Sequence, residues 1–129
     1  MIVELRARSR PYTDLSMGQQ YVVLGIEADD LRVVSNAGKP HLYPRSIFRV
    51  TDATRPRSWL VEKGEDGEEY AYPEPLNAIG FFEDFFEQRP HAVSAFWRWW
   101  NDSESQRTRR TSRQRSTSPA PSRLKRAAS

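Results

Sequence analysis

Apolar and polar positions follow one period over most of the chain and another near its end, and the switch predicts strands first and helices last. Ile2 and Leu5 mark a short first strand, and Tyr12–Gly18 (YTDLSMG) reads as a loop. Gln20–Glu27 (QYVVLGIE) is rich in β-branched and aromatic residues and predicts a strand. Ala28-Asp29-Asp30 is a turn, Leu31–Ser35 (LRVVS) a further strand, and Asn36–Lys39 (NAGK) a second turn. The prolines of Pro40–Pro44 (PHLYP) hold that stretch extended, because the residue before a proline avoids helical geometry. Ser46–Val50 (SIFRV) predicts a short strand or a helical turn leading into one. Turns this closely spaced predict a compact antiparallel meander or a small barrel.

After the Pro-containing linker Thr51–Pro56, Trp59–Glu62 and Glu69–Tyr72 flank the turn Gly64-Glu65-Asp66-Gly67, which predicts a hairpin. Pro73 and Pro75 end it. The period then becomes helical. In Gly80–Gln88 (GFFEDFFEQ), Phe82, Phe85 and Phe86 recur at i, i+3 and i+4, with Glu83, Asp84 and Glu87 on the other side. Pro90 suits the first turn of a second helix running to about Asn101, and a bend is expected at Arg89. On that helix Val93, Phe96, Trp97 and Trp100 form one apolar stripe, expected to face the sheet. Arg98 points away, and Trp99 sits on the flank, where partial burial and a surface contact are both compatible with the pattern.

Composition divides the chain near Asn101. All fifteen aromatic residues fall between Tyr12 and Trp100. Beyond residue 101 the apolar side chains are Ala120, Leu124, Ala127 and Ala128, too few to offset the entropy of ordering. Residues 1–101 are therefore expected to fold, as an SH3-like barrel with a helical extension once the resemblance below is included, and residues 102–129 to form a disordered Arg/Ser-rich tail. Charge divides at the same place: residues 1–101 carry twelve Lys/Arg and fifteen Asp/Glu, whereas residues 102–129 carry eight Lys/Arg against Asp102 and Glu104. The net of +3 is thus an acidic domain joined to a basic tail. The domain repels phosphate backbones and the tail attracts them, or attracts any acidic partner.

Several chemistries find no footing. The chain has no cysteine, which removes disulfides and zinc–thiolate sites and suits a reducing compartment. MIVELRARSR lacks the apolar run of a signal peptide, and no stretch approaches the ~20 apolar residues of a membrane span. A cytoplasmic protein is expected. His41 and His91 do not pair with each other at metal-ligand spacing, and neither a nucleophile elbow nor a Gly-rich phosphate loop is present. The expectation is a non-enzymatic protein with no cofactor and no metal. The acidic run Glu62, Glu65, Asp66, Glu68 and Glu69 surrounds the hairpin turn and lacks the ligand spacing of a calcium loop. It reads as a solvated loop, or as an acidic face for a basic partner.

The segments Gly18–Ile26, Leu31–Gly38, Leu42-Tyr43 and Ile47–Val50 resemble small SH3-like β-barrels. A Gly precedes a Tyr-x-Val strand, and an Asn-x-Gly turn follows the next strand. The likeness covers about residues 1–55 and is nearest to small bacterial SH3-like proteins without an assigned activity. Eukaryotic SH3 domains bind Pro-rich peptides through an aromatic pair. That pair does not map residue by residue onto this sequence, so the resemblance carries no ligand with it. It implies an α+β chain: a small SH3-like antiparallel barrel, a β-hairpin, two C-terminal helices and a disordered basic tail.

Two functional classes follow, with a third beside them. The first is a protein-interaction module of unknown partner, with Trp99, Tyr72 and Trp59 as exposed contacts. The second is an accessory nucleic-acid binder whose tail cations, Arg107, Arg109, Arg110, Arg113, Arg115, Arg123, Lys125 and Arg126, meet phosphates without base stacking. Eight such contacts correspond to a log–log salt slope of about −7. The third is an inhibitor or immunity-type protein that uses the acidic face.

Overall fold

In a computed structural model the chain is described over residues 1–6 and 12–116, with side chains through Arg107. Two compact units are present, Met1–Ile79 and Gly80–Ser129.

The first unit is an antiparallel sheet of seven strands. They are β1 (Ile2–Leu5), β2 (Gln20–Glu27), β3 (Asp30–Val34), β4 (Pro40–Pro44), β5 (Phe48–Asp52), β6 (Trp59–Lys63) and β7 (Glu69–Pro73). The order is β4-β3-β2-β1-β5, with β7 added to β2 and β6 to β7. Single-turn 3-10 segments, Arg45–Ile47 and Glu74–Leu76, lead into β5 and follow β7. The helical turn anticipated near Ser46 is thus real, and the strand follows it.

Strand β2 organises the sheet by serving two neighbours on one side. Its start pairs with β1 (Val3 opposite Tyr21), and its end pairs with β7 (Ile26 opposite Ala71). A register shift between Val23 and Gly25 in the β2–β3 ladder makes the transition. An extra residue in one strand bends and twists it. It also interrupts the in–out alternation, so that Val23 and Ile26, three residues apart, both join the same apolar cluster. One face of the sheet gathers Val3, Leu5, Val23, Leu31, Val33 and Phe48 into an apolar cluster closed by Trp59 and Ala71. Alternate positions of the strands supply these side chains, as a half-buried sheet requires.

The sheet is not closed into a barrel. Among the described residues β5 pairs only with β1, and β6 only with β7. Strand β5 exposes Arg49, Val50, Thr51 and Asp52. It has no second apolar face to bury, so no strand is drawn to its outer side. The barrel expectation is corrected to an open antiparallel sheet.

The second unit contains α1 (Phe81–Phe86) and α2 (Pro90–Ser116). Helix α1 ends in a Schellman motif: Arg89 N–H donates to the Asp84 carbonyl at 3.0 Å, and Gln88 N–H to that of Phe85 at 2.9 Å. Gln88 supplies the left-handed residue at φ 61°. Pro90 then opens α2, and the predicted bend at Arg89 is present. Helix α2 does not stop near Asn101. It runs to Ser116, through residues assigned to a disordered tail by their lack of apolar side chains. Packing potential and helix propensity are separate quantities, and no Gly or Pro interrupts the chain between Pro90 and Pro119. A Glu104–Arg107 pair at i, i+3 adds local support. No helix among the described residues is long and apolar enough to cross a membrane.

A candidate interaction edge on the β6–β7 hairpin

The hairpin is held in the sheet by a polar network that the strand pattern conceals. Arg32 of β3 lies opposite Gly25 of β2, and Tyr72 of β7 opposite Leu60 of β6. The adjoining Ile26–Ala71 pair brings Gly25 level with Tyr72. The row therefore runs from β3 across β2 to β7 and β6, with a glycine in the middle. A Cβ on Gly25 would overlap the Tyr72 ring, so that glycine is the space in which the ring lies. Tyr72 thereby reaches across β2: Arg32 Nε donates to its phenol oxygen at 2.7 Å, and the phenol donates to Glu27 Oε2 at 2.5 Å. The Arg32 guanidinium also donates to the Pro40 carbonyl at 2.7 Å and to Glu27 Oε2 at 3.0 Å. Arg32 is only 6% exposed. A buried cation requires such pairing, because an uncompensated charge in the interior costs several kcal/mol. Burial, aided by the bond to Glu27 and opposed by Arg32, pushes the Tyr72 phenol well above its ordinary pKa.

A second network fixes the Tyr12–Gly18 loop. Tyr43 donates to Asp14 Oδ2 at 2.6 Å, and Tyr21 donates to Asn36 Oδ1 at 2.9 Å while accepting from Ser16 N–H at 2.7 Å. Burial, then the Asp14 carboxylate, drive the Tyr43 pKa upward.

The outer strand of the hairpin is different in character. Trp59 turns inward, but Leu60 and Val61 are 43% and 51% exposed, and Tyr70 beside them on β7 is 38% exposed. The hairpin turn bears Glu65, Asp66 and Glu68, with Gly67 at φ 81° supplying the left-handed position. Glu69 is paired with Arg55 at 2.9 Å, a hydrogen bond that lowers its pKa.

Of the three aromatic contacts anticipated from sequence, two are buried. Trp59 belongs to the apolar cluster and Tyr72 to the Arg32 network. Both are corrected as exposed contacts: Trp59 faces the core side of an edge strand, and Tyr72 fills the gap at Gly25. Trp99 is half-buried, its ring 6.1 Å from Phe96 and 6.3 Å from Trp100. Phe96 is fully buried, whereas Trp97 and Trp100 are half-buried. Within the helical unit this stripe meets α1, with Phe96 5.0 Å and Trp97 6.3 Å from Phe85.

Arg107 is engaged locally, ion-paired with Glu104 and lying 5.5 Å over the Trp100 ring. Arg109, Arg110, Arg113 and Arg115 fall on the last turns of α2. Arg123, Lys125 and Arg126 lie outside the described residues. His41 is half-buried, edge-on to Tyr43, and exposed His91 contacts Asp84 Oδ2 at 3.2 Å. Among the described residues no group of three His, Cys, Asp or Glu side chains is arranged to hold a metal.

What the sequence reading missed is the exposed Leu60-Val61 pair. Its signal was available: two adjacent apolar residues in a strand place one on each face, and only an open edge leaves both uncovered. No protein-family model matches the chain, and neither the curated proteins nor the solved structures contain a significant match.

Proposed function

We propose that the chain is a non-enzymatic protein-interaction module whose contact surface is the outer edge of the β6–β7 hairpin. One observation supports this reading above the others: β6 is an edge strand with apolar side chains exposed on both of its faces. Edge strands are ordinarily blunted by prolines, charges or bulges. Strand β4, at another edge, begins and ends with proline, and β5 exposes Arg49 and Asp52. Strand β6 has no proline, and beside its exposed Glu62 and Lys63 it presents two adjacent apolar residues, Leu60 and Val61, where β5 exposes Val50 alone. An SH3-like ancestry, a bacterial source and a cytoplasmic location belong to the same reading, on the strength of the strand-and-turn pattern and the absence of cysteine.

The test compares the tagged full-length protein with a Leu60→Lys/Val61→Lys variant in pull-downs from the source organism. Loss of discrete partners at unchanged circular dichroism is expected. An identical partner set would remove the edge from the interface.

A second reading, an accessory nucleic-acid binder, is favoured by the continuation of α2, which puts Arg109, Arg110, Arg113 and Arg115 on helical backbone. Deleting residues 102–129 should then abolish DNA and RNA retention at ~50 mM salt. Unchanged retention would refute it. An inhibitor-type role is the special case of the first reading in which the partner is a basic protein whose activity is blocked.

A further inference from the structure

The edge of β6 has a direction, a spacing and a charge. Gly64 N–H donates to the Glu68 carbonyl at 2.8 Å, and Glu69 turns its own carbonyl the other way, accepting from Ala28 N–H at 2.8 Å. In an antiparallel pair the residues that exchange hydrogen bonds alternate with those that do not. From the Gly64–Glu68 contact and the register of the hairpin, Glu62 and Leu60 bond toward β7. The main-chain groups of Val61 and Lys63 are therefore directed to the open side.

Side chains around that edge fall into two classes. Leu60 and Tyr70 are exposed on one face and Val61 on the other. An added strand, whose side chains alternate between faces, would cover both at once. Beyond them the surface is anionic. Glu62, Glu65, Asp66 and Glu68 form no ion pair among the described residues, while Glu69 is already neutralised by Arg55 and Lys63. Each exposed carboxylate would gain from a cation brought alongside it, more so at low ionic strength.

We propose that β6 accepts an extended cationic segment of a partner protein as an eighth strand, with main-chain bonds to Val61 and Lys63, apolar contacts to Leu60, Val61 and Tyr70, and Lys or Arg side chains set against Glu62, Glu65, Asp66 and Glu68. This inference rests on the interaction-module reading and adds to it the conformation and charge of the partner. Strand addition to an exposed edge draws affinity from the main chain and specificity from the alternating side chains. Here the specificity is for positive charge.

The experiment uses the full chain and synthetic nine-residue peptides of alternating lysine and valine, blocked at both ends. A second peptide carries glutamate in place of lysine, and a third is the lysine peptide with alternate amides N-methylated. Amide shifts and hydrogen exchange at Val61 and Lys63 are the readouts. The lysine peptide is expected to shift and protect those two amides, the glutamate peptide to bind at least tenfold more weakly, and the methylated one not to bind.

Val61→Pro removes the outward N–H while leaving the inward bonds of Leu60 and Glu62, and should weaken the lysine peptide at least tenfold. If that variant does not fold, Val61→Lys serves, because it places a like charge at the same edge. Glu62→Gln/Glu65→Gln/Asp66→Asn should erase the preference for lysine over glutamate. No shift at these amides with ~1 mM lysine peptide, or binding untouched in a folded edge variant, would overturn the proposal. Equal binding of lysine and glutamate peptides would overturn the cationic partner alone and leave the module reading standing. That reading fails separately, if the pull-down is insensitive to the edge.

Discussion

Replacing Tyr72 by Phe removes one oxygen atom and leaves the ring that fills the space over Gly25. No cavity opens, so the cost isolates the polar network. Two bonds disappear: Arg32 Nε to the phenol at 2.7 Å, and the phenol to Glu27 at 2.5 Å. They are not equivalent. Glu27 has a third of its side chain exposed, and water takes the place of the lost donor. Arg32 has an 8% exposed side chain, so its Nε–H loses the phenol oxygen where little water can take its place. Leaving one buried donor unsatisfied costs about 1–3 kcal/mol. The charge itself stays compensated through Glu27 and the Pro40 carbonyl, so the larger penalty of an orphaned ion does not apply. The expected loss is about 2 kcal/mol, a substantial part of the stability of a small domain. With a urea m-value of about 1–2 kcal/mol/M, the midpoint should fall by about 1–2 M at unchanged slope. A loss below ~0.5 kcal/mol would refute the reasoning, since it would mean that Arg32 finds another acceptor or water at no cost.

Gly25→Ala should cost more, about 3 kcal/mol or above, because its methyl displaces a ring fixed at its far end. In urea melts the combined Gly25→Ala/Tyr72→Ala variant should lose far less than the sum of the two single changes, and strict additivity would contradict the contact. Gln88→Gly should stabilise the chain by about 0.5–1 kcal/mol, since glycine adopts the left-handed cap of α1 without steric cost, and a lower thermal midpoint would refute this. Alkaline stability should fall above pH ~10, where an unfolded tyrosine ionises while folded Tyr43 and Tyr72 stay protonated. Folded pKa values raised in this way give a contribution that is complete below pH ~10 and is lost as pH rises toward the folded values. Denaturation midpoints across pH 8–11 should therefore drop less steeply in Tyr72→Phe than in the wild type, and identical slopes would exclude Tyr72 from the effect.

Local chemistry made the elements legible. The hairpin at Gly64–Gly67, the break before Pro90 and the switch from strand to helix period all depend on residues within a few positions of one another, and each is present in the fold. The helical backbone through residues 102–116 was not legible, because apolar content answers whether a segment packs, not whether its backbone coils. Trp59 and Tyr72 were misjudged for a different reason. An aromatic residue at a strand end carries no mark of which face it occupies until register is set, and register depends on partners far along the chain. The bulge between Val23 and Gly25 and the pairing of Gly25 with Arg32 decide the position of Tyr72. Neither has a signature within β7 itself.

The same dependence links the hidden network to the open edge. Strand β6 joins the sheet only through β7 among the described residues, and β7 joins β2 through just two register pairs, Ile26–Ala71 and Glu27–Tyr70. Such a short ladder is a weak tether, and Tyr72 extends it by a strand's width to Arg32 on β3. The buried cation therefore helps fix the hairpin to the sheet, in addition to satisfying its own charge. Loosening it should free β6 and β7 to open as a unit at a cost below that of global unfolding. An edge that must present main-chain groups in register to an incoming strand cannot tolerate such opening without losing affinity. On this view Arg32, itself buried, sets how well Val61 and Lys63 are displayed.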